Sequence, residues 1–272
     1  MSKVLNVALI GAGRIGNVHV ENIVRHIPEA EVVAIADISQ ESAQNVARKF
    51  NIPRATRDYR VLLTDPGIDA VVVCTSTNTH AEIIQAAAAA KKHIFCEKPL
   101  ALDLKEIEEA LAAVEKSKVT LQVGFHRRFD PNFQQLKGAI ERGEIGRPWL
   151  LKITSYDPAP PSLSYIRVSG GIFLDMTIHD FDMARYLLGE VEEVYATGAA
   201  LVDPEIGSAG DVDTAVVFLR FKTGALGVIT NCRKAVYGHD QRIEVLGEKG
   251  GLFAENPKPN TACLADAQGY RS

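Results

Sequence analysis

An apolar run of strand length, residues 4–10, passes directly into three glycines at G-x-G-x-x-G spacing and then into a helical pattern. The first glycine of such a motif permits a tight turn, the second lets the backbone approach a pyrophosphate, and the third lets the helix pack closely on the strand. The helix N-terminus then offers N–H groups and a positive dipole end to phosphates. The pattern predicts a dinucleotide-binding loop, although an ordinary tight turn is compatible with it. The candidate loop residues are Gly11, Gly13, Arg14, Ile15 and Gly16.

A second predicted strand, residues 31–36, ends at Asp37, which stands 21 residues after Gly16. An acidic residue at this point accepts hydrogen bonds from the ribose hydroxyls of NAD and repels the 2′-phosphate of NADP. Ile38, the next candidate cofactor contact, and the two residues after it provide no arginine for such a phosphate. The sequence therefore favours NAD, while the alternative role of Asp37 is that of a turn or helix-capping aspartate.

The composition is that of an ordinary globular protein, with 46% hydrophobic and 24% charged residues in a chain of 272, long enough for two domains. A net charge of -4 gives no electrostatic reason to expect nucleic acid or an anionic membrane as a partner. No apolar run is long enough to span a bilayer. The cysteines form no C-x-x-C pair, so no metal site is predicted and a reducing cytoplasm is expected. They are Cys74, Cys96, Cys232 and Cys263.

Strand and helix patterns alternate through residues 1–124, which predicts an α/β Rossmann domain with a doubly wound parallel sheet that binds NAD. The predicted strands are 4–10, 32–36, 70–74, 93–96 and 119–123, and the predicted helices are 14–25, 40–49, 79–91 and 103–117.

Residues 125–272 follow a different pattern, with long strands joined in part by short turns. This predicts an α+β domain with an open, mostly antiparallel sheet. The predicted strands are 149–156, 191–199, 215–221, 225–232 and 241–246, and the predicted helices are 132–142 and 176–188.

Three further stretches carry polar groups at positions suited to chemistry. Two of them follow buried strands and therefore lie at the carboxyl edge of the predicted sheet, where ligands of open α/β folds bind. The third contains Asp175 and His179, which are four residues apart and share one face of a helix. A carboxylate beside an imidazole raises its basicity, which suits removal of a proton from an alcohol. The two edge stretches contribute Thr75, Ser76, Thr77, Asn78 and His80, and Glu97 and Lys98.

Each of these residues also has a purely structural interpretation. Lys98 fits a solvated turn lysine, and the Asp175–His179 pair fits a helix-stabilising i,i+4 contact. Four further residues have structural interpretations of their own. His80 fits a helix-terminus cap, His19 fits a packing residue, and Asp180 and Asp182 fit solvent-facing carboxylates.

At these residues the sequence resembles the Gfo/Idh/MocA family of NAD(P)-dependent oxidoreductases over nearly its whole length, and within that family the inositol 2-dehydrogenases. The resemblance rests on the glycine motif, on Glu97-Lys98-Pro99 and on the Asn78/His80 loop. Three longer and more specific stretches support it, residues 123–131, 169–185 and 237–247.

The resemblance implies oxidation of a secondary hydroxyl of myo-inositol or a related cyclic polyol. Lys98 would hydrogen-bond the reacting hydroxyl, His179 would be the general base, and Asp175 would orient His179 and contact substrate. The cofactor site would be lined by Asn78, His80, Glu97 and Gln122. The polyol contacts would include Arg127, Asp157 and Tyr237, with His239 where relatives often carry tyrosine.

The resemblance also implies a homotetramer, formed through the outer face of the second domain's sheet, and a chain that ends before its relatives do. Two other activities remain open at this point. One is another sugar-directed reaction of the family, such as sugar-nucleotide dehydrogenation or NAD-dependent glycoside cleavage. The other is a non-catalytic NAD-binding sensor, against which Lys98 argues, because a binding protein needs no lysine at the point of hydride transfer.

Overall fold

A computed structural model describes residues 4–256, 264–266 and 269–271 of the chain. Two units emerge from it, one comprising Met1–Phe125 with Val168–Gly170, the other His126–Arg167 with Gly171–Ser272. Among the described residues, no helix combines the length and the apolar character needed to cross a bilayer.

The first unit is a parallel sheet of six strands in the order β3-β2-β1-β4-β5-β6. This order reverses between β1 and β4, and in open α/β sheets the crevice at such a switch point is the ligand site. The predicted doubly wound Rossmann architecture is confirmed. Its elements are β1 (Leu5–Ile10), α1 (Arg14–His26), β2 (Ala30–Ala36), α2 (Gln40–Phe50), β3 (Ala55–Thr56), α3 (Arg60–Leu63), β4 (Ala70–Val73), α4 (His80–Ala89), β5 (His93–Cys96), α5 (Leu104–Ser117) and β6 (Leu121–Val123).

Alternation along the central strand divides the core of this unit between the two faces of the sheet. Val7 and Leu9 pack with one hydrophobic cluster, and Ala8 and Ile10 pack with the other. Because both faces are covered by helices, β1 reads as a continuous apolar run rather than an alternating one. Because the strands are parallel, their carboxyl ends lie at one edge of the sheet, and the packing on both faces holds that edge in place.

The second unit contains a six-stranded sheet in the order β12-β11-β7-β10-β9-β8. All neighbouring pairs are antiparallel except β7 and β10, which run parallel, so the predicted open, mostly antiparallel α+β sheet is confirmed. The elements are α6 (Pro131–Glu141), β7 (Pro148–Tyr156), α7 (Leu163–Ser169), α8 (Ile178–Leu188), β8 (Val191–Ala199), α9 (Pro204–Ser208), β9 (Thr214–Phe221), β10 (Leu226–Cys232), β11 (Asp240–Gly247), β12 (Gly250–Ala254), β13 (Leu264–Asp266) and β14 (Gly269–Arg271).

One face of this second sheet is buried and the other is open. Leu151 and Ile229 of the inner face pack against Phe133 of α6 and Met183 of α8 in a single hydrophobic cluster. The outer face carries exposed aromatic residues on strands near its two edges. They are Tyr195, Phe218 and Phe253.

The helix predicted over residues 176–188 is interrupted at its start. A π-helical turn, Phe173–Thr177, precedes α8, so Asp175 lies in the π turn and His179 in the first turn of the α-helix. Such turns insert an extra residue into a helix and are frequent at functional sites. Sequence periodicity does not register a single inserted residue. The short helices α3, α7 and α9 were also missed, because four to seven residues give too little periodicity to detect.

Asp213, which precedes β9, stabilises the loop between β8 and α9. Its buried carboxylate accepts hydrogen bonds from the N–H groups of Leu201, Val202 and Asp203 and from the Thr214 hydroxyl, each at 2.9 Å. Burial alone would raise the pKa of Asp213, but these hydrogen bonds hold it below its ordinary value. The ionised form is therefore the one that stabilises the fold.

We expect Asp213→Ala to lower the free energy of unfolding by about 3 kcal/mol at neutral pH, because three backbone N–H groups lose their buried acceptor. Since the folded pKa is lowered, this contribution is present above the ordinary aspartate range and is lost as the pH falls through the folded value. Urea unfolding at neutral and acidic pH tests this, with the exposed Glu192→Ala as control. The prediction would be contradicted if the difference in free energy of unfolding between the native protein and Asp213→Ala stayed the same at neutral and acidic pH.

Candidate active site

The glycine-rich loop after β1 has the geometry of a phosphate site. Gly11 has φ +101°, and a Cβ on Gly16 would lie 2.0 Å from the Gly11 carbonyl oxygen, so α1 packs directly on the turn. A Cβ on Gly13, in contrast, would meet nothing within 4 Å, and Gly13 caps α1 without a side-chain hydrogen bond. The open space over Gly13 and the uncapped start of Arg14–His26 fit the diphosphate of a dinucleotide.

Asp37 is fixed beside this loop by two backbone hydrogen bonds. Its Oδ2 accepts from the Ala12 N–H at 2.7 Å, and its Oδ1 accepts from the Ser39 N–H at 2.8 Å. The half-buried carboxylate therefore has a set direction next to the glycine turn, with Ile38 exposed beyond it. This is the position at which a ribose-binding acid is needed.

The loop after β4 carries the stretch from Thr75 to His80 at the same edge of the sheet. Ser76 and Asn78 are exposed and Thr75 and Thr77 are half-buried, so their polar groups are available to a ligand. His80 differs from its prediction as a lining residue, because its side chain is only 1% exposed. Its Nδ1 lies 2.7 Å from the Pro99 carbonyl oxygen and its Nε2 lies 3.1 Å from that of Thr75. His80 thus ties this loop to the next one.

Glu97 and Lys98 follow β5, and the Lys98–Pro99 peptide is cis. Glu97 accepts from His19 of α1, with 2.7 Å between Oε1 and Nε2, and its Oε2 accepts from the Lys98 N–H at 3.3 Å. Burial would raise the pKa of Glu97, but His19 and the Lys98 N–H outweigh it and lower that pKa below its ordinary value. The Glu97 carboxylate therefore links α1 to the backbone of Lys98.

Gln122 lies exposed on β6, and Gly124 follows that strand. A Cβ on Gly124 would come within 3.0 Å of the Glu97 carboxylate, so the chain passes close to Glu97 at this point. The first unit thus brings the predicted cofactor residues to one edge of its sheet. Cys74 and Cys96 stand beneath this edge, and burial raises the pKa of both thiols well above the ordinary range, which leaves them chemically inert.

The second unit also places its polar groups at one sheet edge. Because β7 and β10 are parallel, with Tyr156 paired to Cys232, the residues that follow them, Asp157 and Arg233, leave the sheet side by side. The antiparallel β11 begins at the same edge, where His239 Nδ1 lies 3.3 Å from Asp157 Oδ1. Burial raises the pKa of Asp157 above its ordinary value, against the opposing charges of His239 and Arg233.

Asp175 is held by two residues from other elements of the same unit. The Tyr165 hydroxyl donates to its Oδ1 at 2.8 Å, and the guanidinium of Arg233 lies 3.3 Å from its Oδ2. Arg233 is 1% exposed and also lies 3.5 Å from Asp211. A buried guanidinium between two carboxylates fixes the position of both. Asp175 therefore has a defined orientation in the π turn.

His179 is half-buried and stands next to the exposed His126, with 4.9 Å between the two ring centroids in an edge-on arrangement. Its Nδ1 atom is buried. Imidazole is a common general base in enzymes because its ordinary pKa lies near neutrality.

Arg127 differs from its prediction as a polyol contact. Its side chain is 6% exposed and pairs with Asp180, and it also donates to the Ser155 hydroxyl at 3.2 Å. Asn231 Nδ2 donates to the other oxygen of Asp180 at 2.7 Å. The alternative that Asp180 faces solvent is wrong, because its carboxylate, in the first turn of α8, is fully buried and accepts these hydrogen bonds.

Asp182 also differs from its sequence interpretation as a solvent-facing carboxylate. Asp182 does not face solvent, because it is 8% exposed and accepts two hydrogen bonds from Arg128. Tyr237 is exposed, and its hydroxyl donates to Asp240 at 2.8 Å. That hydrogen bond raises the pKa of Tyr237, and Tyr237, Arg242 and Asn256 together outweigh burial and lower the pKa of Asp240.

In the part of the chain that the structure describes, no cluster of three or more His, Cys, Asp or Glu side chains is arranged for a metal ion.

Four residues of this site were missed or set aside by sequence reasoning. A lone histidine in a helix and a lone arginine after a strand carry no local signal, because their partners are distant in sequence. Only the tertiary fold brings those partners together. The four are His19, His126, Tyr165 and Arg233.

Comparison with known families decides the membership of the chain. Residues 5–125 match a family described as an oxidoreductase family with an NAD-binding Rossmann fold, and residues 133–253 match the GFO/IDH/MocA C-terminal domain. The chain belongs to the Gfo/Idh/MocA family of oxidoreductases. Its Rossmann domain is therefore an NAD-binding one, as the glycine loop and Asp37 predicted.

Relatives within the Gfo/Idh/MocA family are similar over almost the whole chain. The myo-inositol 2-dehydrogenase of Thermotoga maritima is 57% identical over 98% of this chain and 80% of its own length. The inositol 2-dehydrogenase of Rhizobium meliloti is 48% identical over 96% of this chain and 79% of its own length. The structure of scyllo-inositol dehydrogenase from Lactobacillus casei with bound NAD(H) and scyllo-inositol superposes with a TM-score of 0.89 at 28% identity, covering 99% of this chain and 82% of that one.

Proposed function

We propose that this chain is an NAD-dependent inositol 2-dehydrogenase, which oxidises a secondary hydroxyl of myo-inositol or a closely related cyclic polyol to the ketone. The observation that carries the proposal is the 57% identity to a myo-inositol 2-dehydrogenase over 98% of the chain. The presence of Lys98, Asp175 and His179, each held by neighbouring side chains or backbone, supports catalysis rather than binding alone.

The cofactor is assigned to the first unit. The loop of residues 11–16 would hold the diphosphate, Asp37 and Ile38 the adenosine half, and Thr75, Ser76, Thr77 and Asn78, with Glu97 and Gln122, the nicotinamide half. Bound NAD supplies the acceptor for the hydride that leaves the alcohol carbon. The residue division, 1–124 for cofactor and 125–272 for substrate, is part of the proposal.

Three side chains perform the proposed chemistry. The Lys98 ammonium hydrogen-bonds the reacting hydroxyl and stabilises the alkoxide character that develops there. His179 accepts the hydroxyl proton at Nε2, and Asp175 orients the reacting polyol through one of its hydroxyls. Asp157 and Tyr237, together with His239, provide further polar groups for the ring hydroxyls.

Several buried residues are assigned positioning rather than catalytic roles. His80 ties the Thr75 loop to the turn that carries Lys98, and His19 does the same from α1 through Glu97. Arg233 fixes Asp175, and Arg127 supports α8 through Asp180.

The proposal includes a homotetramer in the cytoplasm. The exposed apolar outer face of the second sheet, with Tyr195, Phe218 and Phe253, supports association, because an open sheet face of this kind needs a cover. The described cysteines, Cys74, Cys96 and Cys232, are free thiols, which supports a reducing compartment.

We expect NADH to form when the protein is mixed with NAD and myo-inositol, and to form far more slowly with NADP or with D-glucose. The measurement is the absorbance of NADH, with scyllo-inositol as a second polyol. Turnover with glucose but with neither inositol would show another sugar-directed activity. Tight NADH binding without turnover of any polyol or sugar would show a sensor and refute the dehydrogenase.

A further inference from the structure

The edge of the first sheet carries a cationic residue beside Asp37. Strands β2 and β3 are parallel neighbours, with Ala36 paired to Thr56, and the Asp37 N–H donates to the Thr56 carbonyl at 3.1 Å. Asp37 and Arg57 therefore leave the sheet side by side and in the same direction. In sequence they are 20 residues apart.

Arg57 contacts the segment that follows Asp37. Its Nε donates to the Ile38 carbonyl at 3.1 Å, which lays the guanidinium along the peptide next to the ribose-binding acid. Arg57 as a whole is an exposed residue at this edge. Across residues 4–256, no carboxylate lies within ion-pair distance of Arg57, and the adjacent Asp58 pairs with Arg60 instead.

The Asp37 carboxylate cannot turn away from this place, because Ala12 and Ser39 hold both of its oxygens. The fixed negative charge of Asp37 and the positive charge of Arg57, which has no carboxylate of residues 4–256 within ion-pair distance, therefore lie at the same edge. This is where the proposed function assigns the adenosine ribose. The carboxylate favours ribose hydroxyls and repels a phosphate, whereas a guanidinium is suited to bind phosphate through two parallel hydrogen bonds.

We propose that Arg57 is a second determinant of cofactor choice, forming one side of a subsite for the 2′-phosphate of a phosphorylated dinucleotide that Asp37 keeps closed. The inference rests on the proposed function insofar as the cofactor occupies this edge. In the native chain Arg57 orders the Ile38 peptide and leaves its charge available. When the carboxylate is removed, the same guanidinium pairs with the phosphate.

The alternative is that Arg57 only ties the loop after β2. In that case its removal weakens NADH and NADPH binding alike, because both dinucleotides share the adenosine half. The subsite predicts instead an effect confined to NADPH and visible only where Asp37 has been replaced. The ratio of the NADPH and NADH dissociation constants therefore distinguishes a role in tying the loop from a role in binding the 2′-phosphate.

The experiment measures NADPH and NADH dissociation constants by cofactor fluorescence, without any polyol. We expect Asp37→Ser to tighten NADPH binding at least about tenfold relative to the native protein. Adding Arg57→Gln should reverse most of this gain, whereas adding Arg57→Lys should keep part of it. The matched control adds Arg60→Gln, an exposed arginine three residues further on, and should keep the full gain.

Asp37→Asn is made in parallel, since it removes the charge but retains an acceptor for the Ala12 or Ser39 N–H. NADPH binding to Asp37→Ser/Arg57→Gln as tight as to Asp37→Ser would overturn the inference. So would the absence of any gain in both Asp37 variants, provided that they still bind NADH. Failure of the native protein to bind NADH at all would overturn the proposed function instead, which keeps the two failures distinct.

Discussion

Replacement of Lys98 by methionine is expected to lower kcat for myo-inositol oxidation by about a thousandfold, with little change in the affinity for NADH. Methionine preserves most of the length and apolar volume of the side chain and removes only the charge and its donors. A preorganised cation near developing negative charge acts mainly in the transition state, and removal of one such donor typically costs two to three powers of ten, roughly, in kcat. The loss should therefore fall on kcat rather than on KM.

The matched control is Lys105→Met on α5, a lysine whose Nζ lies 4.0 Å from Glu109 and to which no role is assigned. We expect it to retain native kinetics. Thermal unfolding and NADH binding of the Lys98 variant establish that its fold and cofactor site persist. Turnover by Lys98→Met within a few-fold of native would remove Lys98 from the mechanism and leave the solvated turn lysine as its interpretation.

Replacement of His179 by alanine is expected to lower kcat by roughly 10²–10⁴-fold, the range that general acid–base catalysis contributes. The pH dependence is the more specific readout. In the native protein the rate should fall at low pH, since a protonated imidazole accepts no further proton. The variant should lose this acid limb, because its residual rate no longer depends on that group.

An exposed histidine in the last turn of α1 provides the control, and His26→Ala should keep both the rate and the acid limb. The neighbouring His126 is tested separately, as its ring packs on that of His179. An acid limb that persists unchanged in His179→Ala would assign the titrating group elsewhere and contradict the base assignment.

The fold was predictable from sequence to a large extent because its signals are local. The glycine spacing, the position of Asp37 and the alternation of apolar strands with helices define a Rossmann domain within short windows. The long strands of the second unit were equally visible. What sequence could not give was the parallel β7–β10 pair, since parallel neighbours are joined by distant chain segments.

The same limit applies to the candidate site. Lys98, Asp175 and His179 stand in recognisable motifs, and the structure gives each a defined surrounding. Arg127 was predicted as a ligand contact because arginine beside a polyol is chemically reasonable. Its burial depends on Asp180 and Ser155, 53 and 28 residues away, which no local pattern encodes. His80 was misread in the same way.

In the second unit, the site groups and the exposed aromatic side chains belong to different strands of one sheet. Asp157, Arg233 and His239 sit just outside strand ends, whereas Tyr195 and Phe218 lie in the middle of β8 and β9. Mid-strand side chains can change without moving the main chain at the edge. Substitutions can therefore accumulate on the open face of the sheet while the residues at the strand ends are kept, and the strand ends can vary while the open face stays as it is.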